Sequence, residues 1–126
     1  MVLGLGTDLV SVARLADMLD RHGTRFRNRC FREDEFAGLA GYSGGPTAGA
    51  AAGWAAKEAF LKALGTKVTA IPYRQIEVQA GPGQPPRLVL HGLAQDALRR
   101  SGATEAAVTL SRSGDFALAT VILQGT

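Results

Sequence analysis

The side chains best suited to chemistry fall in two segments, residues 6–8 and 54–65. The first carries Asp8, and the second carries Glu58 followed by Lys62. Magnesium prefers oxygen ligands and typically takes one or two carboxylates, with substrate phosphates and waters completing its shell. A lysine one helical turn beyond Glu58 could meet a phosphate oxygen or take a proton from an attacking hydroxyl. Together these residues indicate a magnesium site for a phosphate-bearing substrate.

Each of these positions also has an explanation that involves no ligand. Asp8 could stabilise the start of the following helix. Glu58 and Lys62 have the spacing of a favourable i, i+4 helix pair, worth roughly 0.2–0.5 kcal/mol. His22 and His91 have no metal-ligand spacing, so zinc chemistry is not indicated. The sequence contains neither a Walker-type phosphate loop nor a dinucleotide fingerprint.

The elements that must position these side chains follow from apolar periodicity, caps and turn residues. The first half of the chain is predicted to contain a strand over residues 3–8 that ends near Asp8, a helix capped by Ser11 and ended by Gly23, a short helix from about Arg32, a loop over 41–49, and a helix over 50–64 ended by Gly65. The second half is predicted to contain a strand over 75–80, a turn over 81–86, a strand over 87–91 and a helix over 93–100. The last two strands, over 106–111 and 116–123, are predicted to form a hairpin around Gly114 and Asp115.

The helix over residues 50–64 is the longest of these elements, and its two sides differ. At about 100° per residue, one side carries small or apolar residues, namely Ala52, Ala56, Ala59, Phe60 and Ala63. The other side carries Trp54, Glu58, Leu61 and Lys62. Small residues would let the helix lie close against a sheet. The order of elements favours one α+β domain over residues 1–126, with an antiparallel sheet packed on a long central helix.

Composition places the chain among ordinary globular proteins. Its 126 residues are 46% hydrophobic and 20% charged, with a net charge of +3. No apolar run approaches the roughly 20 residues that cross a bilayer, and the first residues do not resemble a signal peptide. The single cysteine, Cys30, cannot form an internal disulfide, so we expect a packing role for it and a reducing cytoplasm for the protein.

The charge pattern bears on the partner. The modest net charge, without interleaved aromatic and basic residues, does not indicate a nucleic-acid partner. The arginines are concentrated between residues 14 and 32. Such a cluster is usually a solvated face, but it can also attract an acidic partner.

The two segments resemble the signatures of a known family. Gly6-Thr7-Asp8-Leu9-Val10 with Arg14 resembles a Gly-x-Asp motif followed by an arginine, and residues 54–62 resemble an aromatic residue, two small residues, Lys-Glu-Ala and a further lysine. The family is that of the holo-acyl-carrier-protein synthases, the small 4′-phosphopantetheinyl transferases. Weaker agreement extends the resemblance over nearly the whole chain, at Glu35, residues 76–78, residues 83–85, and Ser111 with Ser113.

The resemblance implies a reaction and its residues. Coenzyme A would donate phosphopantetheine to a serine of apo acyl carrier protein and release 3′,5′-ADP, in fatty acid biosynthesis. Asp8 and Glu58 match the magnesium ligands, and Lys62 matches a catalytic lysine beside the pyrophosphate. The implied coenzyme A contacts are Lys62, Gly65, Gly83, Gln84, Pro85 and Ser113, and the implied carrier-protein contacts are Arg14, Arg21 and Arg25. The resemblance also implies a homotrimer with active sites between subunits.

Three departures from the family pattern each remove a potential phosphate contact. Gly53 stands where an arginine is usual, Gly114 where a histidine is usual, and Gln84 where a lysine is frequent. Arg74, Arg112 or Asp115 could compensate. A divergent member that binds carrier protein or coenzyme A with little transfer, and a magnesium-dependent phosphohydrolase, are the alternatives to an active transferase. The complete set of Asp8, Glu58 and Lys62 favours the transferase.

Overall fold

A computed structural model describes residues 1–65 and 70–126. Its elements, in chain order, are β1 (Val2–Ser11), α1 (Val12–Cys30), α2 (Glu33–Ser43), α3 (Pro46–Leu64), a single 3-10 turn (Tyr73–Gln75), β2 (Ile76–Gly81), β3 (Gln84–Leu90), α4 (Gly92–Arg100), β4 (Glu105–Ser113) and β5 (Phe116–Gln124). The predicted α+β class is confirmed. Within the described ranges, no helix is long and apolar enough to cross a membrane.

The strands form two antiparallel units. One is a three-stranded sheet in the order β1-β5-β4, and the other is the β2-β3 hairpin. In the three-stranded sheet, alternate residues of β5 are buried on the side that faces α3. The predicted apolar side of α3 is confirmed, because Ala52, Ala56, Ala59, Phe60 and Ala63 are all buried.

Two glycines of β1 let α3 approach the sheet closely. A Cβ atom on Gly6 would lie 2.0 Å from the carbonyl oxygen of Ala59, and one on Gly4 would lie 2.3 Å from that of Ala63. Any larger residue would therefore push the helix away from the strand. The absence of side chains at these two positions sets the distance between Asp8, on the same strand, and the polar residues of α3.

The first strand and first helix are both longer than predicted. β1 does not end near Asp8; it pairs with β5 as far as Ser11, which lies opposite Phe116. Asp8 is therefore a mid-strand residue. Ser11 caps α1 as predicted, accepting a hydrogen bond from the backbone N–H of Arg14 at 3.2 Å. Gly23, with φ of 53°, interrupts the helix, but helical structure resumes and continues to Cys30.

The loop predicted over residues 41–49 is also wrong. α2 continues to Ser43 and α3 begins at Pro46, so that Gly44 and Gly45 alone connect them. Gly44 adopts φ of 81° and its N–H bonds to the carbonyl of Ala40, which ends α2 within one residue. Pro46 suits the first position of a helix, where its missing N–H has no helical partner to lose.

The turn predicted over residues 81–86 is likewise shorter than expected. Pro82 and Gly83 form it, because β3 already begins at Gln84. Prolines are tolerated at the start of a strand or on an edge, which accommodates Pro85 and Pro86 in β3. The prediction for the last hairpin is confirmed, with Gly114 and Asp115 between β4 and β5.

Candidate active site

Asp8 is held on the side of β1 that faces α3. Its carboxylate oxygen Oδ1 lies 2.7 Å from Nζ of Lys62, and the same ammonium lies 3.2 Å from the carbonyl oxygen of Thr7. Ser11, not Asp8, is the cap of α1. The capping explanation for Asp8 is therefore wrong, and so is the explanation of Lys62 as the helix partner of Glu58, because its ion pair is with Asp8.

Glu58 has a different partner, the phenol of Tyr73. The hydroxyl of Tyr73 donates a hydrogen bond to Oε1 of Glu58. The Tyr73 ring stacks on Trp54 with a centroid distance of 4.7 Å and an interplanar angle of 29°. Burial, together with the bond to Glu58, raises the pKa of Tyr73, so the phenol stays protonated and remains a donor.

One cleft brings the predicted catalytic residues together. It has a volume of about 480 Å³ and lies where β1, α1 and α3 meet. Residues that line it include Asp8, Arg14, Trp54, Glu58, Lys62 and Phe116. Two carboxylates, two cationic groups and two aromatic rings thus face one space, as a site for an anionic substrate would require.

The donors in this cleft suit a magnesium ion that shares its shell with a substrate. Across residues 1–65 and 70–126, no three or more His, Cys, Asp and Glu side chains are grouped so as to enclose a metal. Asp8 and Glu58 are a smaller set, of two hard oxygen donors. Magnesium is usually bound in this way, because it keeps waters and takes phosphate oxygens rather than a complete protein cage. The residues present therefore fit that ion.

A buried ion pair that the sequence analysis missed lies behind the cleft. Lys57 is fully buried, and its Nζ lies 2.7 Å from Oε2 of Glu35, 2.9 Å from the carbonyl oxygen of Tyr73 and 2.5 Å from that of Ile76. Glu35 also accepts hydrogen bonds from the backbone N–H groups of Arg32 and Val78. The pair thus fixes α3 to α2 and to the chain entering β2.

Burial lowers the pKa of the Lys57 ammonium, although the Glu35 carboxylate opposes that shift. One sequence signal could have revealed the pair. Lys57 lies three residues before Phe60, on the apolar side of the helix, where a lysine is rarely buried without a partner. No comparable signal marked Tyr73, whose role depends on contacts with α3.

The residues predicted to contact coenzyme A are not all in the Asp8 cleft. Gln84 and Pro85 line a second depression of about 740 Å³, together with Asp34, Glu77 and Arg87. Gly83 forms the adjacent turn with φ of 74°. Gly65 ends α3, and Ser113 is exposed at the end of β4. Of the predicted coenzyme A contacts, therefore, Lys62 alone lines the cleft.

A charged cluster borders this second depression. Glu77 lies 2.8 Å from Nε2 of His91 and 3.8 Å from Nε of Arg32. Burial opposes ionisation of Glu77, but the hydrogen bonds from His91 and Gln79 and the nearby arginine outweigh it, and its pKa is lower than usual.

The three arginines predicted to receive the carrier protein differ in their surroundings. Arg14 lines the Asp8 cleft. Arg21 forms an exposed ion pair with Asp17 at 3.1 Å, one helical turn away. Arg25 lies beside a shallow depression with His22, Phe26 and Arg29. They follow one another along α1, with Arg14 nearest to the carboxylates.

The departure at Gly53 has a packing explanation. A Cβ atom there would lie 2.6 Å from Cδ1 of Leu39 and 2.8 Å from Cε1 of Phe31, so this position faces the core and not the Asp8 cleft. The expectation that Gly53 removes a phosphate contact stays a prediction. Arg74 is also committed elsewhere, since its guanidinium donates to the carbonyl oxygens of Asn28 and Phe31 at the end of α1.

Cys30 has the packing role expected of it. The thiol is buried in the core beside Phe31, and burial raises its pKa, which disfavours the reactive thiolate.

Known proteins are similar to this chain over nearly its whole length. The model of the 4′-phosphopantetheinyl transferase superfamily matches residues 4–121. The holo-[acyl-carrier-protein] synthase of Gluconobacter oxydans (strain 621H) is 44% identical over 130 residues, covering 98% of this chain and 83% of that protein.

Solved structures of holo-acyl-carrier-protein synthases are also similar to this chain. The holo-[acyl-carrier-protein] synthase of Neisseria meningitidis superposes with a TM-score of 0.83 at 29% identity, covering 98% of this chain and 99% of the other. The Chronobacterium ammoniagenes ACPS–CoA complex superposes with a TM-score of 0.79 at 31% identity, covering 97% and 96%. The chain therefore belongs to the 4′-phosphopantetheinyl transferase superfamily, and within it to the family of the holo-acyl-carrier-protein synthases.

Proposed function

We propose that this protein transfers the 4′-phosphopantetheine arm of coenzyme A to a serine hydroxyl of apo acyl carrier protein and releases 3′,5′-ADP. The observation that carries the proposal is the meeting of Asp8, Glu58 and Lys62 in one cleft, although they come from two distant segments. The names of the relatives support the acceptor, and the solved complex with coenzyme A supports the donor.

In this reaction the serine oxygen attacks the phosphorus that carries the pantetheine arm. The bond from that phosphorus to the departing 3′,5′-ADP oxygen breaks, and the serine proton passes to water or to a neighbouring base. Such a transfer needs charge neutralisation and in-line positioning more than covalent catalysis. A magnesium ion held by Asp8 and Glu58 would neutralise the pyrophosphate charge.

Lys62 is the side chain best placed to act on the substrate. Its side chain is 55% exposed, and its ammonium contacts the carboxylate of Asp8, whose side chain is 15% exposed. It can therefore reach a pyrophosphate oxygen from the edge of the cleft and stabilise charge there. Trp54 and Phe116 line the same cleft and would limit the access of water.

We further propose that the active enzyme is a homotrimer with active sites between subunits. The sheet face turned away from α3 carries exposed apolar side chains, namely Leu5 at 64%, Leu9 at 60%, Phe116 at 45% and Leu118 at 37% exposure. An apolar patch of this kind marks an interaction surface. Ser113 lies opposite Phe116 on that face, and Gln84 lies in a separate depression, so a neighbouring subunit could bring such residues to the Asp8 cleft.

The physiological setting follows from the proposed activity. Carrier proteins loaded in this way serve fatty acid biosynthesis, which we propose as the role of this protein, in the cytoplasm. The single cysteine is compatible with a reducing compartment.

A mass measurement tests the activity directly. The purified protein is incubated with apo acyl carrier protein, coenzyme A and magnesium, and the carrier is then weighed. We expect an increase equal to one phosphopantetheine, and no increase when magnesium is chelated. Carrier binding without any mass increase would refute the transferase in favour of a divergent binding protein. Release of 3′,5′-ADP with an unmodified carrier would indicate the phosphohydrolase.

A further inference from the structure

Tyr73 contacts three residues of α3 through three different groups: its ring, its backbone carbonyl and its hydroxyl. Its ring stacks on Trp54, its backbone carbonyl accepts a hydrogen bond from Lys57 at 2.9 Å, and its hydroxyl donates to Oε1 of Glu58. Trp54, Lys57 and Glu58 are related as i, i+3 and i+4, so they are neighbours on the helix surface. The segment of α3 that carries Glu58, the candidate metal ligand, therefore also binds Tyr73.

Several contacts hold the residues around Tyr73 in place. Lys57 is fully buried and held by Glu35 as well as by Tyr73, so the backbone of residue 73 is fixed relative to α3. Trp54 also packs against Phe26, with ring centroids 5.5 Å apart. The phenol oxygen therefore has little freedom to move away from Glu58.

This arrangement leaves the second oxygen of the Glu58 carboxylate available to bind a metal ion. An ionised carboxylate has two oxygens with about four acceptor positions. The Tyr73 hydroxyl takes one of these on Oε1 and orients the group, while Oε2 has no part in that hydrogen bond. A group that hydrogen-bonds to a metal-ligating side chain fixes the orientation of that side chain in this way.

We propose that Tyr73 is a positioning residue that orients Glu58 as a magnesium ligand. This inference rests on the proposed function, because it requires Asp8 and Glu58 to bind the ion. The phenol hydroxyl contributes no ligand of its own. Its effect is to limit Glu58 to orientations from which the carboxylate meets the metal together with Asp8.

The test uses Tyr73→Phe, which removes the hydroxyl and retains the ring that stacks on Trp54. Binding of Mn²⁺ to the free protein, without coenzyme A or carrier, is followed by electron paramagnetic resonance. We expect the variant to bind Mn²⁺ about 10–100-fold more weakly than the wild type, the range for loss of an outer-shell partner. The KM for magnesium in the transfer assay should rise in the same proportion.

Two controls separate positioning from a general structural effect. Trp54 is the single tryptophan, so its emission spectrum reports on the stacked site, and Tyr73→Phe should leave both this spectrum and the melting temperature nearly unchanged. The other tyrosine, Tyr42, lies away from the Asp8 cleft, and Tyr42→Phe should bind Mn²⁺ like the wild type.

The outcomes distinguish the two proposals. Equal Mn²⁺ affinity in the wild type and Tyr73→Phe would overturn the positioning role and leave the metal site standing. A wild-type protein that binds no Mn²⁺, or a Glu58→Gln variant that binds it normally, would overturn the metal site itself and the role of Tyr73 with it.

Discussion

Lys62 on α3 and Asp8 on β1 form an ion pair with Nζ 2.7 Å from Oδ1, although 54 residues separate them in the chain. This contact joins the two segments whose residue types first indicated phosphate chemistry. It places an ammonium group beside one carboxylate of the cleft, while the second carboxylate, Glu58, is held by Tyr73. The two acids are therefore oriented by different partners and remain in the same cleft.

Replacing either carboxylate should abolish magnesium-dependent transfer. For Asp8→Ala and Glu58→Ala we expect turnover to fall by more than about 100-fold, because loss of a ligand exceeds the effect of losing an outer-shell partner. Light scattering should show an unchanged oligomeric state. Asp96→Ala, which removes an exposed carboxylate of α4, is the matched control and should retain activity. Full activity in either cleft variant would refute the metal assignment.

Enlarging Gly6 should separate β1 from α3. The Cβ atom in Gly6→Ala would lie 2.0 Å from the Ala59 carbonyl oxygen, so the helix or the strand must move. We expect the free energy of unfolding to fall by about 1–3 kcal/mol or more, and transfer activity to fall with it, because Asp8 moves relative to α3. Gly81 has open space around it, and Gly81→Ala should change stability by no more than about 0.5 kcal/mol. Urea denaturation measures both, and equal stability of the two variants would contradict the close approach.

Removing the buried ammonium of Lys57 should be severely destabilising. In Lys57→Met the Glu35 carboxylate remains buried without its cation, and we expect a loss of about 3–5 kcal/mol in the free energy of unfolding. The double variant Lys57→Met with Glu35→Gln removes the uncompensated charge and should recover part of that loss. A double variant no more stable than the single one would show that charge pairing is not the cause.

Carrier binding should depend on Arg14, which lies closest to the cleft among the three predicted contacts. We expect Arg14→Ala to raise the KM for acyl carrier protein several-fold, with a smaller effect on kcat, and to weaken the dependence of KM on salt, because one attractive charge is lost. Arg100→Ala removes an equal charge from the exposed end of α4 and serves as the control. Equal KM values in both variants, measured from 50 to about 300 mM salt, would place the docking surface elsewhere.

The elements that were predicted well are those whose ends carry local signals. α3 ends at Gly65 and the last hairpin turns at Gly114 and Asp115, as their glycines indicate. The errors occurred where tertiary contacts extended an element. Pairing with β5 carries β1 beyond Asp8 to Ser11, and the glycine-rich segment before Ala50 becomes helical because α3 packs closely on α2 there. A Cβ atom on Gly49 would lie 2.6 Å from the backbone of Leu39.

The sequence by itself determined which side chains share a face of α3, because 3.6 residues per turn follow from local geometry. It placed Trp54, Glu58 and Lys62 together and identified the family through them. Only the tertiary structure decided their partners. Lys62 pairs with Asp8 instead of Glu58, Lys57 is buried against Glu35, and Tyr73 holds Glu58. These contacts join residues 15 to 54 positions apart, so they form only when the elements pack together. For Lys62 and Asp8 that packing depends on Gly4 and Gly6, which let β1 approach α3 closely.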